Sequence, residues 1–193
     1  YEKTPPEFRF TLKGLKPITH VKKLEDVKSD LDYFMNEAVG LKEKLSILLW
    51  QLPPSFKNEP EMFERLGQFL ALLPKDIRQV VEVRHKSWFR DDVFELLDQH
   101  GVGWVINDST RWAQHYAITS DFMYVRFHGP DKLYASEYTT EQLTAWAEKI
   151  APELDRHDGY IYFNNDYGGR ALRNAVELRA ILTGIPMELT VTD

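Results

Sequence analysis

An alternation of short strand-like runs with segments of helical periodicity is the feature that most restricts the fold of this chain. Six runs of apolar or alternating residues end in polar residues, at positions 8–13, 46–52, 79–84, 103–107, 122–127 and 160–164. Apolar residues at helical spacing follow all of them except the fourth, which leads into a polar loop. Strands that alternate with helices pair in parallel through right-handed crossovers, so the pattern predicts an α/β fold.

Several residues predict where the helices begin and end. Thr139 with Gln142 three positions later is a capping-box pattern that opens one helix. Pro74 ends another helix, and Asp91 is a suitable N-cap for the helix after it. The segments of helical periodicity are residues 29–44, 62–73, 91–101, 143–150 and 172–182.

Composition excludes several classes of protein. The 193 residues contain no cysteine, which excludes disulfide frameworks, thiolate metal sites and cysteine catalysis, and fits a cytoplasmic location. The formal net charge is −6, which argues against a surface that binds nucleic acid throughout but leaves room for a local basic patch. No apolar run approaches the ~20 residues of a membrane span, so we expect no membrane association. Without a repeat or a linker, residues 1–193 are predicted to form a single domain.

Polar residues collect at the carboxyl end of every predicted strand. In parallel α/β folds these ends share one edge, where ligands bind, and a charge leaving an apolar strand is costly unless it is paired or faces a wet cleft. We therefore predict a polar pocket there. The alternative is that these residues are solvated strand ends and structural pairs, with Glu82 and Arg84 forming an ion pair on one strand face.

Five motifs together resemble one known family. Two of the motifs are single runs, residues 49–54 and 124–129. The other three are pairs of neighbouring runs: 10–13 with 18–20, 81–85 with 87–89, and 162–166 with 168–169. In this order they are similar to the YecE-like family, domain of unknown function 72, over positions 4 to 184. The resemblance implies a (β/α)8 TIM-barrel-like fold and leaves the biochemical activity open.

The chain is shorter than that fold requires. A complete barrel takes about 250 residues, whereas about six βα units are recognisable here. The resemblance implies that the first two units of the family fold would lie before Tyr1. An open barrel would leave two strand edges exposed. We expect the missing units to be present in the complete protein, or a partner to cover the gap.

The arginines favour an anionic ligand at the barrel mouth. Guanidinium groups bind phosphate or carboxylate through paired hydrogen bonds, and the amino end of the last helix adds free N–H groups. The residues predicted to bind substrate are Lys13, Gln51, Arg84, Arg126, Asn164, Gly168 and Gly169. The residues predicted to be catalytic are Glu82, His128 and Asp166, with proton transfer assigned to Glu82 and His128 and substrate orientation to Asp166.

A metal-dependent hydrolase is a competing interpretation. Zn²⁺ or Mn²⁺ would need a ring of imidazole and carboxylate ligands, for which the candidates are His20, Glu82, His85, Asp108, His128 and Asp166. The spacing matches no recognised metal motif, and Arg84 and Arg126 would crowd a dication. We therefore predict no cofactor, and keep a divalent metal as the alternative.

The aromatic residues have both structural and functional interpretations. Trp50 and Trp104 lie within strands and are predicted to pack between the strands and the helices. Trp88, Trp112 and Tyr134 follow strands, where they could stack a base or a sugar, or form a hydrophobic plug.

The function predicted from the sequence is that of an enzyme acting on a phosphorylated or nucleic-acid substrate, such as a phosphoesterase or an endonuclease-like hydrolase. The alternative is a non-catalytic module that binds a small anionic ligand or nucleic acid in the same pocket. The sequence predicts no oligomeric state.

Overall fold

A computed structural model describes residues 1–185, which form two compact units. The first unit contains Tyr1–Val105 and Tyr116–Asp121, and the second contains Ile106–His115 and the residues from Phe122 onward. Positions 186–193, included in the predicted single domain, lie outside the described residues. The prediction of one domain stays a prediction.

The first unit is built from parallel strands in chain order. The strands are β1 (Phe10–Lys13), β2 (Leu45–Gln51), β3 (Arg78–Glu82) and β4 (Val102–Asp108), and β4 continues into the second unit after Val105. The helices are α1 (Lys28–Ala38), α2 (Pro60–Leu72) and α3 (Asp91–Gln99). Shorter helical turns cover Pro17–Val21 (a π-helical turn), Val39–Lys44 and Lys86–Trp88.

Trp50 joins the strands of the first unit to its helices, as predicted. Its ring packs edge-on against Phe34 of α1 at 5.5 Å and Phe69 of α2 at 5.0 Å. Its indole Nε1 donates to Gln79 Oε1 at 2.7 Å, so the polar atom of this fully buried ring is satisfied. Trp104 of β4 packs in the same way between Phe89 and Phe94.

The second unit contains two further parallel strands. These are β5 (Phe122–Phe127) and β6 (Asp158–Phe163), and they pair in register from end to end. Helix α4 (Thr140–Leu154) connects them, and α5 (Arg170–Thr183) follows β6. Phe127 of β5 packs against Trp146 of α4 at 5.1 Å and stacks on Phe163 of β6 at 4.6 Å, which ties the helix to both strands.

The α/β fold and all six strands are confirmed, and no strand boundary differs from its predicted position by more than two residues. Two helix predictions need correction. The segment 29–44 is not one helix, because α1 ends at Ala38 and Lys42 leaves helical geometry at φ 49°. Asp91 is the first residue of α3, and the N-cap position belongs to Arg90. No helix within residues 1–185 is long and apolar enough to cross a membrane.

A long-range contact follows the break after α1. The nearly buried Lys44 donates through Nζ to the carbonyl oxygens of Tyr1 at 2.8 Å and Thr4 at 2.7 Å. A buried ammonium needs such acceptors. These partners lie about 40 positions away in sequence, so local periodicity could not reveal them.

The predicted capping box is present at α4. Thr139 Oγ1 accepts from the N–H of Gln142 at 3.3 Å, and Gln142 Oε1 accepts from the N–H of Thr139 at 2.9 Å. We expect Thr139→Ala to lower the free energy of unfolding, measured by urea denaturation, by about 1 kcal/mol. Thr144→Ala is the matched control, because that hydroxyl only bonds back to Thr140 O within the helix. Equal losses in both variants would contradict a capping role.

Candidate functional site

A hydrogen-bonded cluster forms at the carboxyl ends of β1, β2 and β3 in the first unit. Gln51 ends β2, pairs in register with Glu82 of β3 and is only 4% exposed. Its Oε1 accepts from Lys13 Nζ at 3.0 Å and from Arg84 Nη2 at 2.8 Å. Two cationic groups from different segments therefore converge on one oxygen atom.

Glu82 fixes the orientation of Arg84. The Glu82 side chain is 0% exposed, and its Oε1 accepts from Arg84 Nε at 2.9 Å. The Arg84 side chain is 12% exposed, so it retains access to solvent. The ion pair considered as a structural alternative is present, and it presents the Nη2 end of the guanidinium group to Gln51.

His20 completes the cluster. It lies in the π-helical turn Pro17–Val21, where its Nδ1 is 2.8 Å from Thr19 Oγ1 and its Nε2 is 3.5 Å from Gln51 Nε2. Partial burial lowers the pKa of His20, and the positive charges of Lys13, Arg84 and Lys16 lower it further. The imidazole is therefore neutral at pH 7, in a region of positive potential.

The segment that carries His20 contains unusual backbone geometry. Lys23, Leu24 and Asp26 have φ values of 49°, 68° and 46°, which are left-handed conformations that residues other than glycine rarely adopt. Leu24 and the following Val27 are buried in the core and hold the segment in this path. Strained backbone of this kind persists only where the surroundings impose it, and it collects at functional sites.

In the second unit, the fully buried His128 packs edge-on against two aromatic rings. Its ring centroid lies 5.4 Å from that of Trp112 and 5.8 Å from that of Tyr134. Its backbone N–H donates to Asp108 O at 2.9 Å, and its carbonyl accepts from the N–H of Tyr134. Tyr134 adopts φ 63° and is 41% exposed, so it is the ring of this group most open to solvent.

The remaining predicted site residues also lie in the second unit. Arg126 is half-buried opposite Tyr162 of β6. Asn164 follows β6 and donates its backbone N–H to Phe127 O at 2.9 Å. Exposed residues form the turn that leads into α5, namely Asp166, Gly168 and Gly169, and the two glycines have φ values of 68° and 73°. The glycines therefore have a conformational role in this turn.

The structure thus joins four of the ten predicted site residues, together with His20, in one cluster. The four are Lys13, Gln51, Glu82 and Arg84. His20 was predicted only as a metal ligand. The polar pair Thr19-His20 after β1 was the one available signal, because the π-helical turn that aims the ring has no sequence signature.

The ring of metal ligands is not formed within residues 1–185, where no three His, Asp or Glu side chains are grouped to hold a metal ion. Several candidates have other partners. His85 Nδ1 accepts from the N–H of Ser87 at 3.2 Å, and Glu82 holds Arg84. The Asp108 carboxylate accepts from Gln114 Nε2 and Trp146 Nε1.

Trp88 fits the plug interpretation. It is fully buried, its ring stacks on Phe56 with the planes 3° apart, and its Nε1 donates to Phe56 O at 2.6 Å. No face remains for a base or a sugar. Trp112 is nearly buried, packed between Tyr134 and His128.

Parallel strands that alternate with helices define the class of α/β proteins. A family model described as "Protein of unknown function DUF72" matches residues 1–190, and the chain belongs to this family. The resemblance inferred from the five motifs is therefore confirmed.

Named relatives support the assignment. UPF0759 protein YunF of Bacillus subtilis is 26% identical over 214 residues, covering 94% of this chain and 75% of that protein. UPF0759 protein YecE of Escherichia coli K12 is 28% identical over 188 residues, covering 84% of this chain and 67% of that protein.

Solved structures of the family share the fold. A DUF72 family protein from Thermotoga maritima is similar with a TM-score of 0.85 and 32% identity, covering 94% of this chain and 76% of that one. A DUF72 family protein from Enterococcus faecalis has a TM-score of 0.82 at 20% identity, covering 98% of this chain and 79% of that one.

Proposed function

We propose that the first unit binds an anionic ligand, such as a phosphate group, at the cluster formed by Lys13, Gln51 and Arg84. The observation that carries this proposal is the convergence of the two cationic groups on Gln51 Oε1. An oxygen atom of an anion placed at the position of Gln51 Oε1 would accept from both Lys13 and Arg84. Charge-assisted hydrogen bonds of this type are shorter and stronger than neutral ones.

The charge balance of the cluster also supports an anion. Lys13, Lys16 and Arg84 surround His20 with positive charge, whereas Glu82 contributes a single negative charge that is directed at Arg84. Burial lowers the pKa of His20, and these positive charges lower it further. A guanidinium group held in a fixed orientation is pre-organised for phosphate or carboxylate.

Sulfate binding, measured by NMR titration at constant ionic strength, tests the site. We expect Arg84→Gln to weaken sulfate binding at least about tenfold, because a hydrogen bond to a charged group contributes roughly 1.5–3 kcal/mol. Arg90→Gln is the matched control, since it removes the same charge from an exposed arginine that pairs with Asp92. Equal weakening in both variants would mean that net charge alone attracts the ion.

We further propose that the ligand is a phosphorylated small molecule or a nucleic-acid phosphate, and that the protein is a phosphoesterase-type or endonuclease-like hydrolase. The non-catalytic binding module remains the second candidate, and the complete burial of Glu82 favours it, because this carboxylate is occupied in orienting Arg84. Turnover of an aryl phosphate that Glu82→Gln abolishes while sulfate affinity is kept would select the enzyme. No turnover by the wild-type protein would select the binding module.

Two broader proposals accompany this function. We infer a TIM-barrel-like architecture for the family fold, supported by the alternation of parallel strands with helices and by the likeness to the Thermotoga maritima protein. We also propose a cytoplasmic location, supported by the lack of cysteine in 193 residues.

A further inference from the structure

The donors around Gln51 fix the orientation of its side-chain amide. Lysine and arginine side chains can only donate hydrogen bonds, so the Gln51 atom that lies 3.0 Å from Lys13 Nζ and 2.8 Å from Arg84 Nη2 must be the oxygen. The amide nitrogen, with its two N–H groups, therefore faces His20 Nε2 at 3.5 Å.

This orientation determines where His20 carries its proton. A nitrogen that faces an N–H group must be the acceptor, so Nε2 is unprotonated and the proton lies on Nδ1. Nδ1–H then donates to Thr19 Oγ1 at 2.8 Å, and the Thr19 hydroxyl donates to Leu15 O at 3.3 Å. All hydrogen bonds along this chain run in one direction, and they are satisfied only when His20 is neutral.

We propose that the site takes up one proton with its anion, that His20 Nε2 accepts this proton, and that a half-turn of the Gln51 amide couples the two events. This inference rests on the anion site proposed above. When an anion accepts from Lys13 and Arg84, it replaces Gln51 Oε1 on those donors. The released amide turns over and presents Oε1 to the new N–H at His20 Nε2. The only bond formed is this N–H bond, and the proton comes from the solvent.

The surroundings of His20 agree with a change of protonation at Nε2 alone. Nδ1 donates to Thr19 in both the neutral and the charged imidazole, so that contact does not change on protonation. The charged groups that face the ring are Lys13 on β1, Lys16 in the β1–α1 connection and Arg84 after β3, while Glu82 acts through Arg84. Without an anion these charges oppose an imidazolium, and a bound anion offsets them.

The balance of charge around His20 indicates the class of ligand. With His20 protonated, its charge adds to those of Lys13, Lys16 and Arg84, which suits a dianionic group such as a phosphate monoester better than a monoanion. A phosphate monoester titrates near pH 6 itself and would obscure the effect. Sulfate remains a dianion across this range, and it is therefore the probe.

Binding affinity for sulfate should rise as the pH falls. The pKa of His20 is lowered in the free protein, and a bound anion raises it. Affinity should be constant above the pKa of the bound form, increase by up to about tenfold per pH unit between the two pKa values, and level off below the pKa of the free form. NMR titrations between pH 5 and 8 at constant ionic strength measure this profile.

Calorimetry in buffers of different ionisation enthalpy measures the same coupling without any variant, and we expect an uptake approaching one proton per sulfate. His20→Gln should bind sulfate with a flat pH profile. His100→Gln is the control, because that histidine lies at the end of α3, and it should keep the slope.

Sulfate binding that is independent of pH in the wild-type protein would overturn the coupling and leave the anion site standing. Failure of the wild-type protein to bind sulfate at any pH would overturn both.

Discussion

Glu82→Ala is expected to destabilise the protein by about 3–5 kcal/mol, because it removes one partner of a largely buried ion pair. The Glu82 side chain is fully buried, that of Arg84 is 12% exposed, and the Nε–Oε1 distance is 2.9 Å. Once the carboxylate is lost, the guanidinium group keeps its desolvation penalty without the ionic partner that offset it. Urea denaturation measures the loss as a lower midpoint at an unchanged slope.

Glu82→Gln removes the negative charge of this side chain and keeps its shape. The amide keeps an oxygen that can accept from Arg84 Nε, so we expect a smaller loss of stability than in Glu82→Ala. Sulfate affinity should fall in Glu82→Ala, because Arg84 loses the group that orients it. An alanine variant as stable as the wild-type protein would mean that Arg84 reaches solvent without cost, and the pair would then have no structural role.

Trp50→Ala should be comparably destabilising, with an expected loss of about 3–5 kcal/mol. The ring is fully buried between Phe34 and Phe69, so its removal costs transfer free energy and leaves a cavity between β2 and its two helices. Calorimetric or urea unfolding measures the change.

Trp50→Phe removes the hydrogen bond and only part of the packing. Phenylalanine keeps an aromatic ring but cannot donate to Gln79 Oε1, which lies in a residue that is itself buried. We expect a loss of about 1–3 kcal/mol from the unsatisfied acceptor, smaller than the loss in Trp50→Ala. Equal losses in the two variants would show that the hydrogen bond, rather than packing, carries the contribution of Trp50.

The strands could be predicted because their signals are local. Alternation or continuous apolar character identified each strand within two residues, and Trp50 and Trp104 lie between strands and helices as expected. The rule that ligands gather at the carboxyl ends of parallel strands selected Lys13, Gln51 and Arg84, which the structure brings together.

The parts of the site that sequence reasoning missed depend on contacts between distant residues. Lys44, which lies beyond the early end of α1, bonds to residues about 40 positions away in sequence. The position of His20 follows from a π-helical turn, and the left-handed residues after it are not glycines. The π-helical turn and the left-handed residues after it have no residue pattern of their own.

The strained β1–α1 connection links buried apolar residues to the proposed anion site. Leu24 and Val27 hold this connection in the core, and the connection in turn positions His20. In a library of randomised variants, selection for tight binding should therefore conserve these two apolar positions as strictly as the charged ones. A phylogenetic profile that weighs only polar residues would overlook them.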